Sequence, residues 1–216
     1  MGEQQGGLRE RKKQQTREAI AAAARGLFAD RGFESVTVAD VARQAEVSPK
    51  TVFNYFPTKE DLFYSRRESF GQELIDAVRD RPAGETVIDA FRRFVLTPRG
   101  VLALPDNASD AVEHLASLLR VVLESPALLA REKQLLEEYS ASLAGLIAEE
   151  TGTAADDIEP RVVADALIAV HRSLIDYVRP RIVAREPLDE LKRAFRRQGR
   201  RAFARLERGI GDYARR

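Results

Sequence analysis

From residue 16 onward, apolar positions recur at spacings of three and four, and no segment alternates with period two over a strand's length. The first such pattern, residues 16–31, carries Ile20, Ala23, Ala24, Leu27 and Phe28 on one face. Gly32 stands where a helix ends on a left-handed C-cap, and Phe33 follows as its hydrophobic contact. Two short patterns come next, separated by a three-residue turn. Val38, Val41 and Ala42 give the first its apolar stripe, and Val47, Val52 and Phe56 give the second. Each has its own start signal. Thr37 is an N-cap with Asp40 at the third helical position, a capping box with Asp in place of Glu or Gln. Ser48 caps the second, and Pro49 sits at the first helical position, where proline is best tolerated. Two helices joined this tightly form a helix-turn-helix, whose second helix can lie in the major groove of DNA.

The rest of the chain continues in helical period. Pro57 stops the second helix, and Thr58 can cap a third through Leu62 and Phe63. Residues 59–80 read as one connecting helix with Leu62, Phe63, Phe70, Leu74 and Val78 on one side, broken at 81–84. Further helices are expected at 86–96, 109–124, 127–150 and 160–184, and a last one from near Pro187. Turn residues at 97–100 and 104–107, a loop at 152–157 and Pro126 separate them. The pattern predicts an all-α chain of about nine helices. Residues 1–58 form an arm and a three-helix helix-turn-helix domain, and 59–216 a C-terminal helical bundle.

Charge refines this division. Residues 1–59 carry ten Lys+Arg against seven Asp+Glu, a net of +3. Residues 60–191 carry 15 against 25, a net of −10, and residues 192–216 carry ten against two, a net of +8. The basic head is where phosphate contacts are needed, and the acidic body is suited to something else. Residues 1–15, with Arg9, Arg11, Lys12 and Lys13, read as a disordered arm, helical from about Arg11. It is either a solvated terminus or an arm that touches minor groove or phosphate. The arginine face of the last helix (Arg193, Arg196, Arg197, Arg200, Arg201, Arg205, Arg208) is expected to face solvent.

The chain has no cysteine, so a disulfide framework, a thiolate zinc site and a cysteine nucleophile are excluded. There is no apolar run near 18 residues and no secretory h-region, so a membrane span is not expected and a cytoplasmic location is. HExxH, GxSxG, GxGxxG and a Gly-rich phosphate loop are all missing, which argues against an enzyme and gives no reason to expect a cofactor or metal.

Residues 16–63 resemble the DNA-binding domain of the TetR/AcrR family of bacterial transcriptional repressors. The matching residues are Leu27-Phe28, Arg31-Gly32-Phe33, Thr37 to Ala42, Ala45, Val47-Ser48, Thr51-Val52-Phe53, Tyr55-Phe56 and Lys59 to Leu62. The resemblance implies a homodimer paired through its last two helices. It also implies a palindromic double-stranded operator, and a body whose middle helices enclose a cavity for a small-molecule effector. Ligand binding would then move the connecting helix.

In a major-groove helix the N-terminal residues meet base edges, here Pro49, Lys50 and Phe53. Lys50 can donate to guanine, while Pro49 and Phe53 can touch thymine methyls or sugar. Thr51, Asn54 and Tyr55 can donate to phosphate, and Tyr55 could instead be partly core. Thr37 and Lys59 stand at helix N-termini, where backbone N–H groups favour an anion. The resemblance implies phosphate contacts for Thr37, Thr51, Tyr55 and Lys59. Ser48 joins the set, although Ser48 and Thr37 have capping work whether or not DNA is present. In the body, His114 and His171 are either packing residues or pocket donors. Arg120, Asp165, Arg172, Asp176 and Tyr177 are the other polar candidates for an effector cavity.

Overall fold

The computed structural model describes residues 2–105, 108–154 and 157–210, and the side chains of all of these except 2–10, 66–69, 101 and 210. Asp106 and Asn107 of one expected turn, and residues 155–156 of the expected loop, lie outside the described residues. Ten α-helices and one 3-10 turn (Gly100–Ala103) make up the described chain, with no strand among them. They are α1 Gly2–Arg31, α2 Val38–Gln44, α3 Pro49–Tyr55, α4 Lys59–Phe63, α5 Ser65–Arg79, α6 Val87–Leu96, α7 Ser109–Glu124, α8 Pro126–Thr151, α9 Glu159–Val183 and α10 Leu188–Ile210.

Two expectations need correction. Helix α1 begins at Gly2 rather than near Arg11, so the expected disordered arm is helical. Arg, Lys, Gln and Glu are good helix formers, and a helix nucleated by the packed face of residues 20–28 extends backward without a new nucleus. The connecting segment 59–80 is two helices, not one. It breaks at Tyr64, the C-cap of α4, whose hydroxyl donates 3.1 Å to the Leu128 carbonyl. The buried phenol needs that acceptor, and a straight helix would not be interrupted there.

The chain divides into two compact units. The first comprises Met1–Arg66 and Arg120–Arg131, and the second Arg67–Leu119 and Glu132–Arg216. The first unit therefore reaches beyond residue 58 and takes in the corner between α7 and α8. Its core is made by Ile20, Ala24, Phe28, Phe33, Val41, Val52, Phe56 and Leu62, all buried. Phe28 meets Phe33 at 5.1 Å and Phe63 at 5.9 Å between ring centroids. Gly32 has φ +78° and donates 3.0 Å to Phe28 O, closing α1 as expected. Burying one such Phe contributes roughly 1.5–3 kcal/mol.

In the second unit, α10 packs on α9 and α6, and Phe91 meets Phe203 at 6.1 Å. Thr86 caps α6, accepting from the Asp89 N–H at 3.2 Å. Two of the ion pairs inside this unit involve a buried arginine. Arg81, with its side chain fully buried, donates to Glu150 at 3.0 and 2.6 Å. Arg179 donates to both oxygens of Glu132 at 2.7 and 2.6 Å. The seven arginines of the α10 face are all exposed.

Candidate nucleic-acid interface

The α2–α3 hairpin is set by its caps. Thr37 Oγ1 accepts from the Asp40 N–H at 3.1 Å, and Asp40 Oδ2 accepts from the Thr37 N–H at 3.0 Å and its hydroxyl at 2.6 Å. Those bonds from Thr37, and then the Arg43 guanidinium, hold the Asp40 carboxyl below its ordinary value. Ser48 Oγ accepts from the Thr51 N–H at 3.0 Å, and the Ser48 and Thr51 hydroxyls are hydrogen-bonded to each other at 2.8 Å. The turn between α2 and α3 requires Glu46 at φ +55°, a left-handed conformation without glycine.

With Val52 and Phe56 fully buried, the helical period turns the other residues of α3 outward. Pro49, Lys50, Phe53 and Asn54 are exposed, and Thr51 and Tyr55 are partly buried. Phe53 keeps 51% of its surface in water, one of the few large apolar side chains that do so.

Helix α1 adds what the α3 pattern does not contain. Lys12, Lys13 and Thr16 line a groove of about 470 Å³ with Thr51, Asn54 and Tyr55. Two ammonium groups thus stand across from two hydroxyls and an amide, the donor chemistry of a phosphate backbone track. Lys12 and Lys13 were legible as basic residues. Thr16 was not, because its neighbourhood with α3 is made only by the tertiary fold. Lys59 is placed differently from the rest. Its ammonium lies 4.2 Å from the centre of the Phe33 ring and 3.5 Å from Glu34 O. Arg17 similarly covers Phe56 at 4.8 Å.

The second unit holds a separate open cleft of about 360 Å³, lined among others by Gly71, Gln72, Ile75, Leu135, Glu138 and Tyr139. Tyr139 also belongs to an aromatic group. Its ring lies 6.0 Å from Phe70, which stacks on His171 at 5.0 Å and meets Phe94 at 5.2 Å. The expected pocket residues are dispersed. His114, Arg172 and Asp176 are exposed, and Arg120, His171 and Tyr177 are partly buried. Tyr177 carries Arg181 over its ring at 3.7 Å, and none of the six lines the cleft. Burial raises the Asp165 carboxyl, but bonds from Ser140 and Arg161 outweigh it and hold that group low.

Residues 20–65 match the family model for bacterial regulatory proteins of the tetR family, and residues 86–208 match the MftR C-terminal domain. The chain is 33% identical over 171 residues to the HTH-type transcriptional regulator TcmR of Streptomyces glaucescens, covering 77% of this chain and 74% of that protein. It is 26% identical over 170 residues to the transcriptional regulator MftR of Mycobacterium tuberculosis, covering 77% and 81%. A solved complex of SmeT with triclosan shares the fold, with a TM-score of 0.53, 17% identity, and 89% and 90% of the two chains covered.

Proposed function

The chain belongs to the TetR family of bacterial transcriptional regulators, and on that premise we propose that it is a ligand-responsive repressor that binds a palindromic operator as a homodimer. The observation that carries the reading is the outward row of α3, Pro49, Lys50, Phe53 and Asn54, beside a groove that α1 furnishes with lysines. Lys50, Pro49 and Phe53 read base edges, while Thr51, Asn54, Tyr55, Lys12 and Lys13 hold phosphates. Thr37, Ser48 and Lys59 complete the interface through the helix starts they occupy. The Lys59 ammonium would have to leave the Phe33 ring to reach a phosphate.

The second unit is the effector and dimerisation body, acting in the cytoplasm. SmeT binds triclosan, and an apolar or amphipathic small molecule suits this chain in the same way. The helices that carry His114, Arg120, His171, Arg172, Asp176 and Tyr177 supply the polar groups, and the cleft at Gly71 and Tyr139 offers an entry. For the effector to release DNA it must favour the conformation with the lower operator affinity.

The test is selection of bound duplexes from random-sequence DNA by the full-length protein. Recovery of an inverted repeat with two equivalent half-sites supports the reading. Recovery without a shared motif contradicts it and favours a DNA-binding protein that lacks sequence readout.

A further inference from the structure

Three hydrogen bonds fasten the α7–α8 corner to the segments that flank α2 and α3. Ser125 Oγ donates 2.9 Å to Glu34, in the turn before α2. Tyr64 Oη donates 3.1 Å to Leu128 O, a residue with no exposed surface. Arg131 Nε donates 2.8 Å to Asp61 Oδ1. Asp61 uses its other oxygen on the cap of α4, accepting from the Thr58 N–H at 3.0 Å and its hydroxyl at 2.7 Å. Thr58 follows Phe56 and Pro57, where α3 ends. The corner therefore grips the helix-turn-helix on both sides, at Glu34 before it and at Asp61 after it.

The residue after Arg131 faces another way. Glu132 stands about 100° further round α8, and its carboxylate is paired inside the second unit with Arg179. The boundary between the two units falls between these neighbours, within a helix that runs unbroken from Pro126 to Thr151. Both pairs are poorly hydrated. Side-chain exposure is 19% and 8% for Arg131 and Asp61, and 6% and 9% for Arg179 and Glu132. Charges out of water hold each other firmly, and breaking one partner away is costly.

Arg179 is also incompletely satisfied. One nitrogen, Nη2, serves both carboxylate oxygens, and the buried Nε has no hydrogen-bond partner. A buried donor left unmet favours any rearrangement that supplies an acceptor. Turning the guanidinium to offer Nε would shift Glu132, and with it the start of α8.

Resting on the DNA-binding reading above, we propose that Arg131 and Glu132 are positioning residues for operator recognition. Arg131, through Asp61, sets the turn that ends α3. Glu132, through Arg179, makes that setting answer to the second unit.

The experiment is a mutant cycle on the full-length protein with two readouts. One is affinity for the selected operator, and the other is amide hydrogen exchange over residues 58–62. Glu132→Met with Arg179→Met replaces the buried pair by apolar side chains of similar volume. It should change operator affinity about fivefold or more in an otherwise unaltered protein. It should also change exchange at Thr58 and Asp61. In an Arg131→Met background the same replacement should leave both readouts within about twofold, because the link is already cut. Arg131→Lys should restore part of the coupling, which a purely structural role would not require. Where Arg131→Met does not fold, as judged by circular dichroism, Asp61→Asn takes its place in the cycle. Equal effects of the pair replacement with and without Arg131, or no effect in either, overturn the inference. The exchange readout needs no DNA. A protein that selects no operator but shows the coupled exchange therefore separates failure of the functional reading from failure of this one.

Discussion

Asp40 and Lys50 lie ten positions apart in one hairpin and do opposite work. Asp40 closes the cap of α2, and its carboxyl is held low by the bonds from Thr37. A group with a depressed folded value contributes stability above its unfolded value and loses it as pH falls through the folded one. NMR titration should place the Asp40 midpoint below the ordinary 3.8, and Thr37→Ala should return it toward that value. Ser48→Ala should cost about 1 kcal/mol of stability, read in denaturant melts. Lys50 has no cap or core role. Lys50→Ala should leave the melt unchanged and cost about 1–3 kcal/mol of operator affinity at one base position. Lys12→Ala should weaken all sequences alike and lower the salt slope by about one unit. Caps and outward residues were legible because they follow from helical period and local hydrogen bonding. The second partner of Asp61, Arg131, was not, since a bond across 70 positions leaves no local trace.

At the scale of elements, most helix limits were readable from apolar spacing and punctuation. The start of α6 at Val87, capped by Thr86, and the span of α7 agree with expectation. The break at Tyr64 was hidden because the apolar period continues through it. Two backbone features carry measurable consequences. Glu46 holds a left-handed conformation in the helix-turn-helix turn, which a side chain disfavours by roughly 1–2 kcal/mol. Glu46→Gly should therefore raise thermal stability or leave it unchanged, where a mid-helix glycine would lower it. Gly71 is the reverse case. A Cβ there would lie 2.3 Å from Cε1 of the Tyr139 ring. Gly71→Ala should destabilise by about 1–3 kcal/mol, as overpacking does, and Gly71→Ala with Tyr139→Leu should recover much of the loss.

For the whole molecule, the segregation of charge was legible, with a basic head, an acidic middle and a basic end. The polar pairs inside the second unit were not. Glu132 and Arg179 sit in helical patterns where charged residues read as solvent-facing, Arg81 sits in the expected break at 81–84, and only packing shows all three to be buried. Self-association belongs to this scale too. At the start of α9, the N-cap residue Ile158 and Val162 are 74% and 55% exposed and offer an apolar edge. Val162→Asp with Ile158→Asp should shift sedimentation from dimer toward monomer, and a protein that remains dimeric would place the interface elsewhere. A monomer presents one recognition helix, and a second copy about doubles the phosphate and base contacts on a palindrome.

The decisive measurement is the affinity of the full-length protein for three duplexes, followed against salt: the selected palindrome, the same site with one half scrambled, and a fully scrambled sequence. A dimeric, sequence-reading protein binds the palindrome on the order of 10³-fold or more tighter than the scrambled duplex, with the half-site between them. All three affinities should fall steeply with salt. Equal affinity for palindrome and scrambled DNA at every salt concentration would contradict that reading.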